Sequence, residues 1–99
     1  MDVGQVFAQD DVQRLVDAFM GLETPEEVRA FLTDLCTPRE IVDFAQRLEV
    51  ARLLDEGEPY VDVQTRTGAS STTVSRVSKA LKGTAGGYRS VLSKAETAR

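Results

Sequence analysis

Residues 60–82 read Tyr60-Val61-Asp62-Val63-Gln64-Thr65-Arg66-Thr67-Gly68-Ala69-Ser70-Ser71-Thr72-Thr73-Val74-Ser75-Arg76-Val77-Ser78-Lys79-Ala80-Leu81-Lys82. A short helix, a glycine where the turn needs a positive φ, and a second helix anchored by apolar residues six and nine positions later make a helix-turn-helix. Gly68, Val74 and Val77 hold those places. Val63, Val74, Val77 and Leu81 would lock the second helix onto the first. Its other face, with Ser71, Thr72, Ser75, Ser78, Lys79 and Lys82, is then expected to be free for a DNA major groove. Gln64 is a departure, because the motif usually takes a small residue there.

The run Ser70-Ser71-Thr72-Thr73 is poorly explained by helix propensity, since short hydroxylated and β-branched side chains are mediocre helix formers. It suits a helix N-terminus whose hydroxyls and free N–H groups bind phosphate oxygens or touch base edges. Capping alone accounts for Ser70; Thr72 and Thr73 are better explained by contact. The candidate DNA-binding set is therefore Ser70, Ser71, Thr72, Thr73, Ser75, Arg76, Lys79, Lys82 and Arg66, with Arg89 as a further phosphate contact.

Upstream, three periodic stretches predict helices. Val12, Leu15, Val16 and Phe19 fall at i, i+3, i+4 and i+7 between Asp10 and Gly21. Thr24-Pro25-Glu26-Glu27 opens the next with a capping hydroxyl, a proline at the first helical position and a glutamate, followed by Val28, Phe31, Leu32 and Leu35. Thr37-Pro38-Arg39-Glu40 repeats that grammar, and the helix it opens runs through Ile41, Phe44, Ala45, Leu48, Val50, Ala51, Leu53 and Leu54 to Gly57 and Pro59. This long helix is apolar on more than one side, so it must be covered on both, as at the centre of a bundle or a dimer. Downstream, Gly83, Gly86 and Gly87 mark a loop, and Tyr88, Val91 and Leu92 predict a last short helix fraying from Lys94 to Arg99. Residues 1–9 read as a flexible arm and residues 10–99 as one all-α domain.

Composition narrows the function. The chain has 99 residues, no histidine and one cysteine, which removes most metal sites, every Cys-His or Ser-His pair and the usual base poised near neutral pH. An enzyme is not expected, nor a metal site. Paired carboxylates such as Glu26/Glu27 and Asp55/Glu56 are explained by the helix dipole and by solvation. Cys36, beside Phe31, Leu32 and Leu35, reads as a small buried hydrophobe. It cannot form an intrachain disulfide, and the start Met-Asp-Val-Gly-Gln lacks the features of a signal peptide. With no apolar run long enough for a membrane span, the expected compartment is the cytoplasm. The net charge of −4 hides an asymmetry: residues 1–59 carry five basic against fourteen acidic side chains, and residues 60–99 carry seven against two. A basic C-terminal part suggests a polyanion partner for that face.

Several blocks resemble one family. Asp34-Leu35-Cys36-Thr37, Glu40-Ile41, Ala45-Gln46-Arg47-Leu48-Glu49-Val50-Ala51, Thr67-Gly68-Ala69-Ser70 and Thr73-Val74-Ser75-Arg76-Val77 resemble the YerC/YecD-type branch of the Trp-repressor-like proteins, in order and nearly in spacing, across residues 24–92. The resemblance implies an intertwined homodimer in which the N-terminal helices of both chains build a common core flanked by two helix-turn-helix readers. It also implies an effector site, because the two arginines that sandwich the indole in the Trp repressor look equivalent to Arg47 and Arg76, and Thr37 matches the capping Thr-Pro near that ligand. The bland alternative gives these arginines to surface ion pairs or a phosphate. Val77 stands where tryptophan-binding members have glycine, and Ala80 where they have serine. These changes fill space beside an indole and delete a polar partner, so the resemblance leaves room for a small-molecule corepressor but argues against tryptophan.

The resulting expectation is a dimeric, sequence-specific transcriptional regulator, a repressor by resemblance, bound to a palindromic operator on double-stranded DNA. The competing reading is a helical dimeric adaptor whose helix-turn-helix only packs, with the acidic first half docking a basic protein.

Overall fold

The computed structural model describes the backbone of residues 1–97 and the side chains of residues 1–95. Within them the chain is all-helical, with seven helices and no strand, in two compact units that meet in sequence between Thr37 and Pro38.

The first unit holds α1 (Val3–Phe7), α2 (Asp10–Met20) and α3 (Pro25–Leu35). Helix α1 lies in the segment read as an arm. It begins with a reciprocal capping box: the Asp2 carboxylate accepts from the Gln5 N–H at 2.8 Å, and Gln5 Oε1 accepts from the Asp2 N–H at 2.8 Å. Helix α3 starts as the Thr24-Pro25 signature requires, with Thr24 Oγ1 accepting from the Glu27 N–H at 3.1 Å. Phe19 and Phe31 meet edge-to-face at 5.2 Å between centroids, joining α2 to α3. Neither helix buries a residue, although both carry apolar stripes. Phe7, Leu15, Val16, Phe19, Met20, Val28 and Leu35 are all exposed.

The second unit is built on α4 (Pro38–Asp55), against which α5 (Tyr60–Thr67), α6 (Ser71–Lys82) and α7 (Gly87–Thr97) pack. Its core is Val50, Ala51 and Leu53 from α4, Val63 from α5, Ala69 from the turn, Val74 and Val77 from α6, and Leu92 from α7, with Leu54 and Tyr88 packed against it. Only the C-terminal half of α4 is buried; Val42, Phe44 and Leu48 remain exposed. The second apolar side of this helix thus exists as the pattern predicts.

Two helix ends are shaped by glycine. After α4, Gly57 takes φ +89°, and the N–H groups of Gly57 and Glu58 return to the carbonyls of Leu54 (3.0 Å) and Leu53 (3.1 Å), the paired bonds of a Schellman motif. After α5, Gly68 takes φ +74° and donates to the Gln64 carbonyl at 2.8 Å. The turn is tied further by Thr67, whose hydroxyl donates to the Val63 carbonyl and accepts from the Ala69 N–H, and by Gln46 Nε2, which donates to the Thr67 carbonyl at 3.2 Å. Gln64 is only half-buried, so its long side chain is accommodated at the edge of the α5–α6 junction. Helix α7 runs to Thr97, longer than expected; the last two residues of the predicted fraying end lie outside the described residues.

Candidate nucleic-acid interface

Helix α6 is oriented by its buried stripe. Val74, Val77 and Ser78 are at most 5% exposed and Leu81 is half-buried, the i, i+3, i+4, i+7 set of one helix face. Ser78 therefore corrects the sequence reading, which put it on the free face. The Tyr60 hydroxyl donates to its Oγ and links the start of α5 to the middle of α6. Tyr60→Phe is expected to cost about 1–2 kcal/mol by leaving the Ser78 hydroxyl short of its partner, whereas Ser78→Ala, which leaves the 45% exposed Tyr60 with water as partner, should cost less. A urea-denaturation cycle on the two single variants and the double variant measures the coupling.

On the opposite side, Ser71, Thr72, Ser75, Arg76 and Lys79 line a shallow groove of about 360 Å³, all of them exposed. Lys82 is exposed one turn further on. No carboxylate lines this groove, and Asp62 is the only acidic residue between Tyr60 and Ala95. The surface offers hydroxyl donors and acceptors near the positive end of the helix dipole, followed by cations.

Three further candidates sit differently. Ser70 is engaged as the N-cap, accepting from the Thr73 N–H at 3.1 Å and donating to Thr73 Oγ1 at 3.1 Å. Thr73 is half-buried and turned to a second groove. Arg66 makes an ion pair with Glu58 at 3.5 Å rather than joining the α6 face. The hydrogen bond from Arg52 holds the Glu49 carboxyl below its usual range, and the charge of Arg66 adds a smaller contribution. Arg52 forks between Glu49 on α4 and Glu56 just beyond its end, occupying part of the acidity there.

The second groove, about 450 Å³, brings together Arg47 and Arg76, as the resemblance implies, and adds Arg39, Asp43, Gln46, Gly68, Ser70 and Thr73. The Arg47 guanidinium lies 5.0 Å above the Phe44 ring, and Arg39 pairs with Asp43 at 3.3 Å. Asp43 is an ion-pair partner that the sequence offers for Arg47 and Arg76, but here it pairs with Arg39; Gln46 has no role in the sequence reading, although with Asp43 and Arg47 it falls at i, i+3 and i+4 and so shares one side of α4. Thr37 belongs to the first unit, at the residue before α4. Neither Val77 nor Ala80 lines this groove. Val77 is in the core, and Ala80 borders an apolar groove with Leu48, Ala85, Gly87, Tyr88 and Val91. Among the described residues, no helix is long and apolar enough to cross a membrane.

The chain is 46% identical over 71 residues to the uncharacterized protein YerC of Bacillus subtilis, an alignment covering 72% of this chain and 68% of that protein. Among solved structures, it superposes on a TrpR-like protein from Eubacterium eligens with a TM-score of 0.87 and 35% identity, covering 93% of this chain and 95% of the other. A candidate Trp repressor from Staphylococcus aureus gives a TM-score of 0.89 at 33% identity, covering 97% and 95%. The family profile described as Trp repressor protein matches residues 10–96, from the first turn of α2 to the last turn of α7. The helix-turn-helix and the helices around it are thus parts of one shared pattern, and the chain belongs to the Trp repressor family.

Proposed function

We propose that this protein is a non-enzymatic, sequence-specific DNA-binding regulator that acts in the cytoplasm as a homodimeric repressor. One observation carries the reading: the Ser71, Thr72, Ser75, Arg76 and Lys79 face of α6 is exposed and free of carboxylates, while Val74 and Val77 on the other side hold the helix rigidly. Hydroxyls and the Thr72 methyl read base edges; Arg76, Lys79 and Lys82 neutralise phosphates. Ser70 contributes through the N-cap, while Thr73 and Arg66 contribute less than the sequence suggested.

What is left uncovered supports the dimer. Leu15, Val16, Phe19 and Met20 on α2, with Val42, Phe44 and Leu48 on α4, are too many large apolar side chains to leave in water on so small a chain. A twofold pair covers them and sets two α6 helices about 34–36 Å apart, one turn of duplex. The groove around Arg47 and Arg76 suits an anionic small-molecule effector; its polar walls do not favour tryptophan.

Selection from random duplex DNA, with and without cell metabolites, tests the whole reading. The expected product is an inverted repeat whose half-sites lie one turn apart. In that product Thr72→Ala should lose about 1–3 kcal/mol of discrimination at one or two base pairs, while Lys82→Ala weakens all sequences alike. No enrichment, together with no mobility shift on nonspecific duplex at low salt, would favour the adaptor.

A further inference from the structure

We propose that Arg89 is a positioning residue for the reading helix, a clamp that fixes the C-terminal end of α6 to α7, and not a phosphate contact. The inference rests on the DNA-binding reading only for its functional consequence.

The argument begins with how α6 ends. Helix α4 closes with a glycine at positive φ whose Schellman bonds satisfy its last carbonyls. Helix α6 does not. Gly83 caps it in an extended conformation, φ −76° and ψ −175°, and returns one N–H to the Ala80 carbonyl at 3.1 Å. The carbonyls of Leu81 and Gly83 instead accept from the two terminal nitrogens of Arg89, Nη1 to Leu81 and Nη2 to Gly83 at 3.0 Å. A planar fork presents two separate nitrogens, one to each carbonyl, whereas the donors of a lysine all radiate from a single nitrogen. Its charge also sits at the negative end of the α6 dipole.

Arg89 is placed for this by the loop before it. Gly86 takes φ +73°, its carbonyl accepts from the Ser90 N–H at 3.0 Å, and α7 starts at Gly87, so Arg89 comes within the first turn of a helix anchored by Leu92 and Tyr88. The clamp therefore ties the free end of α6 to an element already fixed on the core. Its leverage is large. From Val74 to Lys82 the helix rises about 12 Å, so a tilt of about 10° about Val74 would carry Lys82 by about 2 Å, enough to break a hydrogen bond to phosphate.

The test compares Arg89→Ala and Arg89→Lys in the full chain by native-state amide hydrogen exchange and by salt titration of binding to nonspecific duplex DNA. For Arg89→Ala, amides in the last turn of α6 should exchange about tenfold faster than in the wild type, with α4 unchanged. The affinity for duplex should fall about tenfold, while the slope of log K against log salt stays as it was. Arg89→Lys, with the charge but one donor point, should fall between. A slope shallower by about 0.9 with unchanged exchange would make Arg89 a phosphate contact and overturn the clamp. Uniformly faster exchange through α4–α7, or no change in either readout, would overturn it as well. A wild-type chain that binds no duplex, but whose Arg89→Ala variant loosens only the end of α6, would sink the regulator reading and leave the clamp standing.

Discussion

Leu53→Ala is expected to destabilise the second unit by about 2–5 kcal/mol, the range for deleting a fully buried leucine side chain in a packed core. Leu53 is 1% exposed and is the largest fully buried side chain among the described residues, ahead of the valines at 50, 63 and 74. A unit of this size holds only about 3–9 kcal/mol in all, so the loss is comparable to the whole. Thermal and urea unfolding followed by far-ultraviolet circular dichroism measures it. A change under about 1 kcal/mol would mean that the core described here is not what holds α4 to α5 and α6. Duplex binding should disappear with the fold, since the α6 face is useful only while it is held.

The complementary variant removes function and keeps the fold. Arg76→Ala combined with Lys79→Ala deletes two exposed cations from the α6 groove. If each neutralises one phosphate, each contributes about 0.9 to the salt slope. The double variant should then bind duplex about a hundredfold more weakly at 50 mM salt but only about eightfold more weakly at 200 mM, with a slope shallower by about 1.8. Circular dichroism and melting should hardly move, because exposed charges of this kind contribute little to stability. An unchanged slope would remove these residues from any DNA interface.

What was legible in the sequence was what is fixed locally. Thr24-Pro25, Thr37-Pro38 and Gly68 announce helix ends through hydrogen bonds and dihedral limits acting within four residues, and each end falls where they put it. Asp2 and Gln5 carry the same kind of signal, three residues apart, but without an apolar period behind it the signal does not by itself mark a helix. Ser78 was misplaced by its chemistry: position 78 follows Val74 by one helical turn and belongs to the inner stripe, but a hydroxyl reads as a surface group until its partner, Tyr60, is known. The rest depends on residues distant in the chain. Arg66 read as a free cation because nothing local pairs it with Glu58, eight positions away. Arg89 read as a phosphate ligand because the open carbonyls of α6 are visible only once α6 is seen to end without a Schellman turn. The groove holding Arg47 with Arg76 is legible only through resemblance, since no periodicity links positions 47 and 76.

The hydroxyl bridge between α5 and α6 also makes this molecule convenient to watch. It contains no tryptophan and two tyrosines. One is Tyr60, whose ring oxygen bonds to Ser78 across the helix-turn-helix; the other is Tyr88, which borders the apolar groove with Leu48 and Val91. Ultraviolet emission from the native chain therefore comes from two fluorophores, one at the seam of the reading motif and one on an uncovered greasy wall. Replacing either with phenylalanine leaves a single-colour sensor, so the opening of that seam and the covering of that wall can each be timed without attaching a dye.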